Sequence, residues 1–143
     1  MNDAAFVRRA VDLLRSAGVE AWICGGWGEE LRGLAPAGPH GDVDPLHPGD
    51  DLESVDAALR SLALADIPAK RFAHKRAFVL DGVMVELLLA RRDAHGLHTV
   101  RGDVRHHWPA DTLSWLGDLP VASSAALRGY RAAHDSFPDS VPA

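Results

Sequence analysis

The chain has 143 residues, 47% hydrophobic and 24% charged, with a formal net charge of −5 and one cysteine. That length suits one domain with a real core, and the acidic balance without a Lys/Arg run excludes a general nucleic-acid binder. The lone cysteine excludes an internal disulfide, and no signal peptide or membrane-length apolar run is visible, so the expected location is the cytoplasm.

Residues 3–17 carry Phe6, Val7, Ala10, Leu13, Leu14 and Ala17 at three- and four-residue spacing, with Arg8, Arg9, Asp12 and Arg15 off that stripe. This is the pattern of an amphipathic helix, which Asn2 or Asp3 can cap at its start and Gly18 at its end. The apolar stretch 19–24 reads as a first strand, and 27–34 as a short second helix. A Pro- and Gly-rich loop follows over 35–41. A second strand over 42–46 is expected to be cut short by Pro45 and Pro48, which cannot donate ladder bonds.

Asp50 or Asp51 caps a third helix with the apolar stripe Leu52, Val55, Leu59 and Leu62, and Pro68 ends that region. Segments 71–80 and 83–90 form a hairpin around Asp81-Gly82, a strong two-residue turn signal. A further strand at 97–101, an irregular stretch, and a last helix from Ser123 or Ser124 through His134 complete the domain. The expected limits are 1–136 for one domain and 137–143 for a disordered tail with two prolines.

Three features carry chemistry. A glycine pair, Gly25-Gly26, leaves the first strand, where backbone without side chains can approach a phosphate or simply turn tightly. Asp42 and Asp44 flank a valine, and in an extended strand they project to one face. There they either sit solvated or share a hard divalent cation such as Mg²⁺. Glu86 interrupts an apolar run, Val83 to Leu89, that reads as a central strand covered on both faces. A lone carboxylate there needs a metal or a basic partner, for which Arg76 on the opposing hairpin strand is available. Lys75 and Arg76 are either contacts to a triphosphate or edge-strand solubilisers.

The run Trp22-Ile23-Cys24-Gly25-Gly26-Trp27, with Asp42-Val43-Asp44 downstream and His40 two residues before the first aspartate, resembles the small aminoglycoside and lincosamide nucleotidyltransferases. These belong to the polymerase-beta-like nucleotidyltransferase superfamily. The resemblance implies an α/β (α+β) nucleotidyltransferase fold, a small mixed sheet flanked by helices, with the Asp-x-Asp strand beside the Glu86 strand. It implies that Asp42, Asp44 and Glu86 are catalytic and hold one or two Mg²⁺ ions. It also implies that Gly25, Gly26, Trp27, His40, Lys75 and Arg76 face a nucleotide.

The implied reaction moves a nucleoside monophosphate, AMP from ATP, onto a hydroxyl of a small molecule such as an aminoglycoside or lincosamide. Such domains serve antibiotic resistance and small-molecule biosynthesis. Where family members commonly carry a basic residue, two before the histidine, this chain has Gly38. Pro45 follows Asp44, and the chain ends soon after His134, where the family continues. A second subunit, as in a homodimer, is one way to complete the acceptor pocket. These departures keep an alternative open: a protein of the same fold that has lost transfer and serves as a binding module, or as a different biosynthetic enzyme acting on a small metabolite.

Overall fold

The structure, a computed structural model, describes residues 1–134. The expected end of the domain at 136 and the tail at 137–143 lie outside the described residues. Among the described residues, eight strands and four helices follow in the order α1 (Ala4–Ser16), β1 (Trp22–Cys24), α2 (Gly25–Leu31), β2 (Asp42–Gly49), α3 (Glu53–Ser61), β3 (Lys75–Leu80), β4 (Val83–Asp93), β5 (Gly96–Arg101), β6 (Val104–His107), β7 (Leu113–Leu116), β8 (Leu119–Ala122) and α4 (Ser124–His134). A 3₁₀ turn, Pro68–Lys70, precedes β3.

The strands form one mixed sheet in the order β6-β5-β4-β2-β1-β8-β7, with β3 also paired to β4. Strands β2 and β4 run parallel, as do β1 and β8, and the remaining pairs are antiparallel. This is the mixed α/β architecture expected, with the Asp-x-Asp strand beside the Glu86 strand.

Alternation along the central strands sorts side chains between two cores. Ile23, Val43, Val85, Leu87 and Val121 face the stripe of α1 (Phe6, Val7, Ala10, Val11, Leu14) and Val55 and Leu59 of α3. Trp22, Cys24, Leu46, Ala90 and Ala122 point the other way, toward Trp108 and toward Ala126 and Leu127 of α4. Asp3 caps α1 by accepting from the Phe6 N–H at 2.8 Å. Asp51 accepts from the Glu53 N–H at 2.9 Å at the start of α3. Ser123 Oγ does the same for Ala126 N–H in α4 at 3.1 Å. The Asp81-Gly82 turn has φ of 50° and 79°, the left-handed pair that a two-residue hairpin uses.

Three expectations need correction. Helix α2 begins at Gly25, so the glycine pair forms its first turn rather than a loop before it. Strand β2 is not cut short: it runs through Pro45 and Pro48 to Gly49. The pairing to β4 skips Asp44 and Pro45, while β1 pairs with both (Cys24↔Asp44, Ile23↔Pro45), so the proline sits where the parallel ladder is already open. The stretch after β5 is not irregular but holds β6, β7 and β8. Gly102 and Gly117, each with φ of 62°, turn the β5–β6 hairpin and the β7–β8 hairpin. No described helix is long and apolar enough to cross a membrane.

Candidate active site

Parallel pairing of β2 with β4 decides the geometry of the acids. Asp42 lies opposite Met84 and Val43 opposite Val85, so the same register carries Asp44 alongside Glu86. All three carboxylates leave the sheet on the face away from α1 and α3. One oxygen of each of Asp42, Asp44 and Glu86 lies within 4.8 Å of the others. Along β4 the odd-numbered residues from Val83 to Leu89 are buried, whereas Met84, Glu86 and Leu88 are half-buried. The expected cover on both faces is therefore complete on one side only. The other side opens into a cleft of about 410 Å³.

The cleft floor is the acid cluster with Gly25 and Gly26, and its walls come from β3, β5 and α4. Gly25 has φ of 60°, and a Cβ there would lie 2.6 Å from Asp44 Oδ2. Only glycine lets the start of α2 rest directly on the carboxylate. A Cβ on Gly26 would lie 3.0 Å from His40 Nδ1.

The site's electrostatics follow from crowding. Burial, then the charges of Asp42 and Glu86, push the Asp44 carboxyl up to about 8, and a hydrogen bond with Asp42 favours the protonated form further. Burial also works to raise Glu86, but the hydrogen bond from Lys70 and the charge of Lys75 outweigh it and hold Glu86 below the usual carboxylate range. Lys70 Nζ donates to Glu86 Oε1 at 2.6 Å, and Lys75 Nζ stands 3.5 Å from Oε2. Burial, with Arg101 and Lys75 adding to it, drives His74 down to about 4, so its ring is neutral at pH 7. The buried Cys24 thiol, pushed up to about 12, stays protonated and is no nucleophile.

Three of the expected nucleotide contacts lie elsewhere. Arg76 does not reach the cleft: it is buried, donating from Nε to Asp56 Oδ1 at 2.8 Å and from Nη1 to the carbonyls of Phe72 and Lys75. It is also not the partner of Glu86, a role that falls to the two lysines. Trp27 belongs to the core beside α1, its indole N–H donating to Asn2 Oδ1 at 2.9 Å.

His40 packs against Trp27 with the rings tilted by 36° and their centroids 4.3 Å apart, and its Nε2 bonds Glu30 Oε1 at 2.9 Å. Both residues brace the start of β2 rather than line the cavity. Asn2 Nδ2 completes the brace on the carbonyls of His40 and Asp42. Gly38 also serves here, its N–H donating to Glu30 Oε1 at 3.0 Å.

The wall residues that sequence reasoning missed are Glu29, His74, Arg101, Tyr130, Arg131 and His134, together with Lys70 at Glu86. A signal existed in α4: Leu127, Tyr130, Arg131 and His134 recur at helical spacing and share one face. Lys70, a single lysine in a short turn, carried none.

A sequence model of the aminoglycoside-2''-adenylyltransferase family matches residues 6–107. The chain belongs to this family. No curated protein matches it in sequence. Among solved structures, ANT(2'')-Ia in complex with adenylyl-2''-tobramycin is 15% identical with a TM-score of 0.64, covering 94% of this chain and 77% of that one. The lincosamide adenylyltransferase LnuA, lincomycin-bound, is also 15% identical, with a TM-score of 0.72 over 93% of this chain and 88% of that one. These likenesses show the nucleotidyltransferase fold.

Adenylyltransferase-family membership gives the acid cluster a chemistry that its donor set fits. Three hard oxygen donors, one of them kept protonated first by burial and then by the like charges beside it, suit Mg²⁺, which takes carboxylates together with substrate phosphates.

Proposed function

We propose that the protein is a Mg²⁺-dependent nucleotidyltransferase that moves AMP from ATP onto a hydroxyl of a small molecule such as an aminoglycoside or lincosamide. The observation that carries this reading is the meeting of Asp42, Asp44 and Glu86 within 4.8 Å on the floor of a cleft. The chain's family and the fold it shares with adenylyltransferases support it.

Asp42, Asp44 and Glu86 would hold Mg²⁺, which when bound neutralises charge on the phosphoryl oxygens and aligns the nucleotide for in-line attack. Gly25 and Gly26 present backbone without side chains to the triphosphate. Lys75, on the cleft wall, balances charge on the departing pyrophosphate. Glu86, kept ionised at neutral pH by its lysines, is placed to accept the proton of the acceptor hydroxyl at a carboxylate oxygen.

The test incubates the protein with each of the four nucleoside triphosphates, Mg²⁺ and a panel of aminoglycosides and lincosamides, following pyrophosphate. Release with ATP is expected. No release with any pair would remove the reading. Nucleotide binding that calorimetry finds indifferent to Mg²⁺ would favour a non-transferring binding module instead.

A further inference from the structure

Glu86 already has a cation on it. Lys70 Nζ lies 2.6 Å from Oε1, the shorter and more direct of its two lysine contacts. The two lysines differ in how they are mounted. Lys75 opens β3, is paired with Leu88 of β4 and is mostly buried at 19% exposure. Lys70 ends a three-residue 3₁₀ turn outside the sheet, with 40% of its side chain exposed.

That turn is itself firmly held. Arg71, the next residue, bridges Asp56 and Asp66, and Lys70 N–H donates to Ile67 O. A fixed backbone therefore carries a long stem whose charged end can leave Glu86 for solvent without disturbing the sheet.

We propose that Lys70 is a tethered counter-ion for the acid cluster, which holds Glu86 in place when no metal is bound and which a divalent cation must displace. This rests on the reading of Asp42, Asp44 and Glu86 as a cation site. The consequence is an order of events. Mg²⁺ alone competes against a lysine that is always present at high effective concentration, so it binds weakly. Mg²⁺ already chelated by a triphosphate brings ligands of its own and can dislodge the lysine. Lys70 thus acts as a positioning residue, keeping the cluster charge-balanced and Glu86 oriented between turnovers.

The experiment measures Mg²⁺ binding to the full chain by calorimetry and thermal melts, first without nucleotide and then with ATP, for wild type, Lys70→Met, Lys70→Gln, Lys70→Arg and Asp42→Asn. Lys70→Met and Lys70→Gln should melt lower without metal, bind Mg²⁺ about tenfold more tightly and gain more from saturating Mg²⁺ than wild type does. Tenfold is the effect of removing one competing charge-assisted hydrogen bond. Lys70→Arg, which keeps the charge, should behave as wild type. A Mg²⁺ affinity unchanged or weakened in both neutral variants, while Asp42→Asn loses binding, overturns the counter-ion role and leaves the metal site standing. No Mg²⁺ response in any variant, with or without ATP, removes the metal site and this proposal with it.

Discussion

At the scale of single residues, the site depends on what is missing as much as on what is present. Gly25 lies at φ 60° with Asp44 Oδ2 2.6 Å from where a Cβ would stand. Gly25→Ala therefore adds about 1–2 kcal/mol of left-handed backbone strain and also drives the Asp44 carboxylate off its position. Gly33 is a matched control: its φ is 74°, but nothing lies within 4 Å of a Cβ there. Melts with and without Mg²⁺ should show both variants destabilised, with the Mg²⁺ response lost only in Gly25→Ala. A Gly25→Ala protein that responds to Mg²⁺ as wild type does would mean the contact with Asp44 is incidental. The glycine pair was legible in the sequence as a place for close approach, but its neighbour was not. That neighbour is Asp44, nineteen residues further on by number and next to Cys24 only through β1–β2 pairing.

Among elements, the α3–β3 junction explains why a conspicuous arginine is absent from the cleft. Arg76 joins β3 to α3 through Asp56, and the hydrogen bonds from Arg76 hold that carboxyl below its usual range against the opposing effect of burial. Asp56 keeps Arg71 when Arg76 is removed, but the bonds from Arg76 to Asp56 and to the Phe72 and Lys75 carbonyls are lost, so Arg76→Met should cost on the order of 2 kcal/mol in denaturant unfolding while leaving Mg²⁺ binding intact. Loss of Mg²⁺ binding without loss of stability would instead put Arg76 in the site. Adjacent residues of a strand point to opposite faces, which is why Lys75 reaches Glu86 and Arg76 cannot. The pattern was readable in advance, but choosing the face required knowing which side α3 covers.

For the whole molecule, the acid cluster sets function against stability. Asp44 titrates at about 8 in the folded protein and near 3.9 in an unfolded chain. A carboxyl raised in this way favours folding while it keeps its proton. That contribution is full below about pH 4 and is lost as pH rises toward 8. Without Mg²⁺, stability should fall across this window, and Mg²⁺ should restore most of it at the alkaline end. Asp44→Asn should flatten the profile, melt higher than wild type at pH 8 without metal, and have no transfer activity. Asp42→Asn should show the milder form of the same gain. If Asp44→Asn melts lower than wild type at pH 8 without metal, the carboxylate is a structural anchor and not a crowded ligand.

Much of what is local was determined by the sequence itself, although the hairpins after β5 were not. The stripe of α1, the caps at Asp3 and Ser123, the Asp81-Gly82 hairpin and the projection of Asp42 and Asp44 to one side all arise from neighbours a few residues apart. Helical and strand periods encode those relations directly. Only the tertiary structure decided that Lys70 and Lys75 hold Glu86, that α4 closes the cleft, and that β7 and β8 extend the sheet beyond β1. It also decided that β2 survives its prolines, because β1 supports the strand where the ladder to β4 opens. Those outcomes depend on parallel register and on side chains reaching between distant segments. No spacing along the chain specifies either.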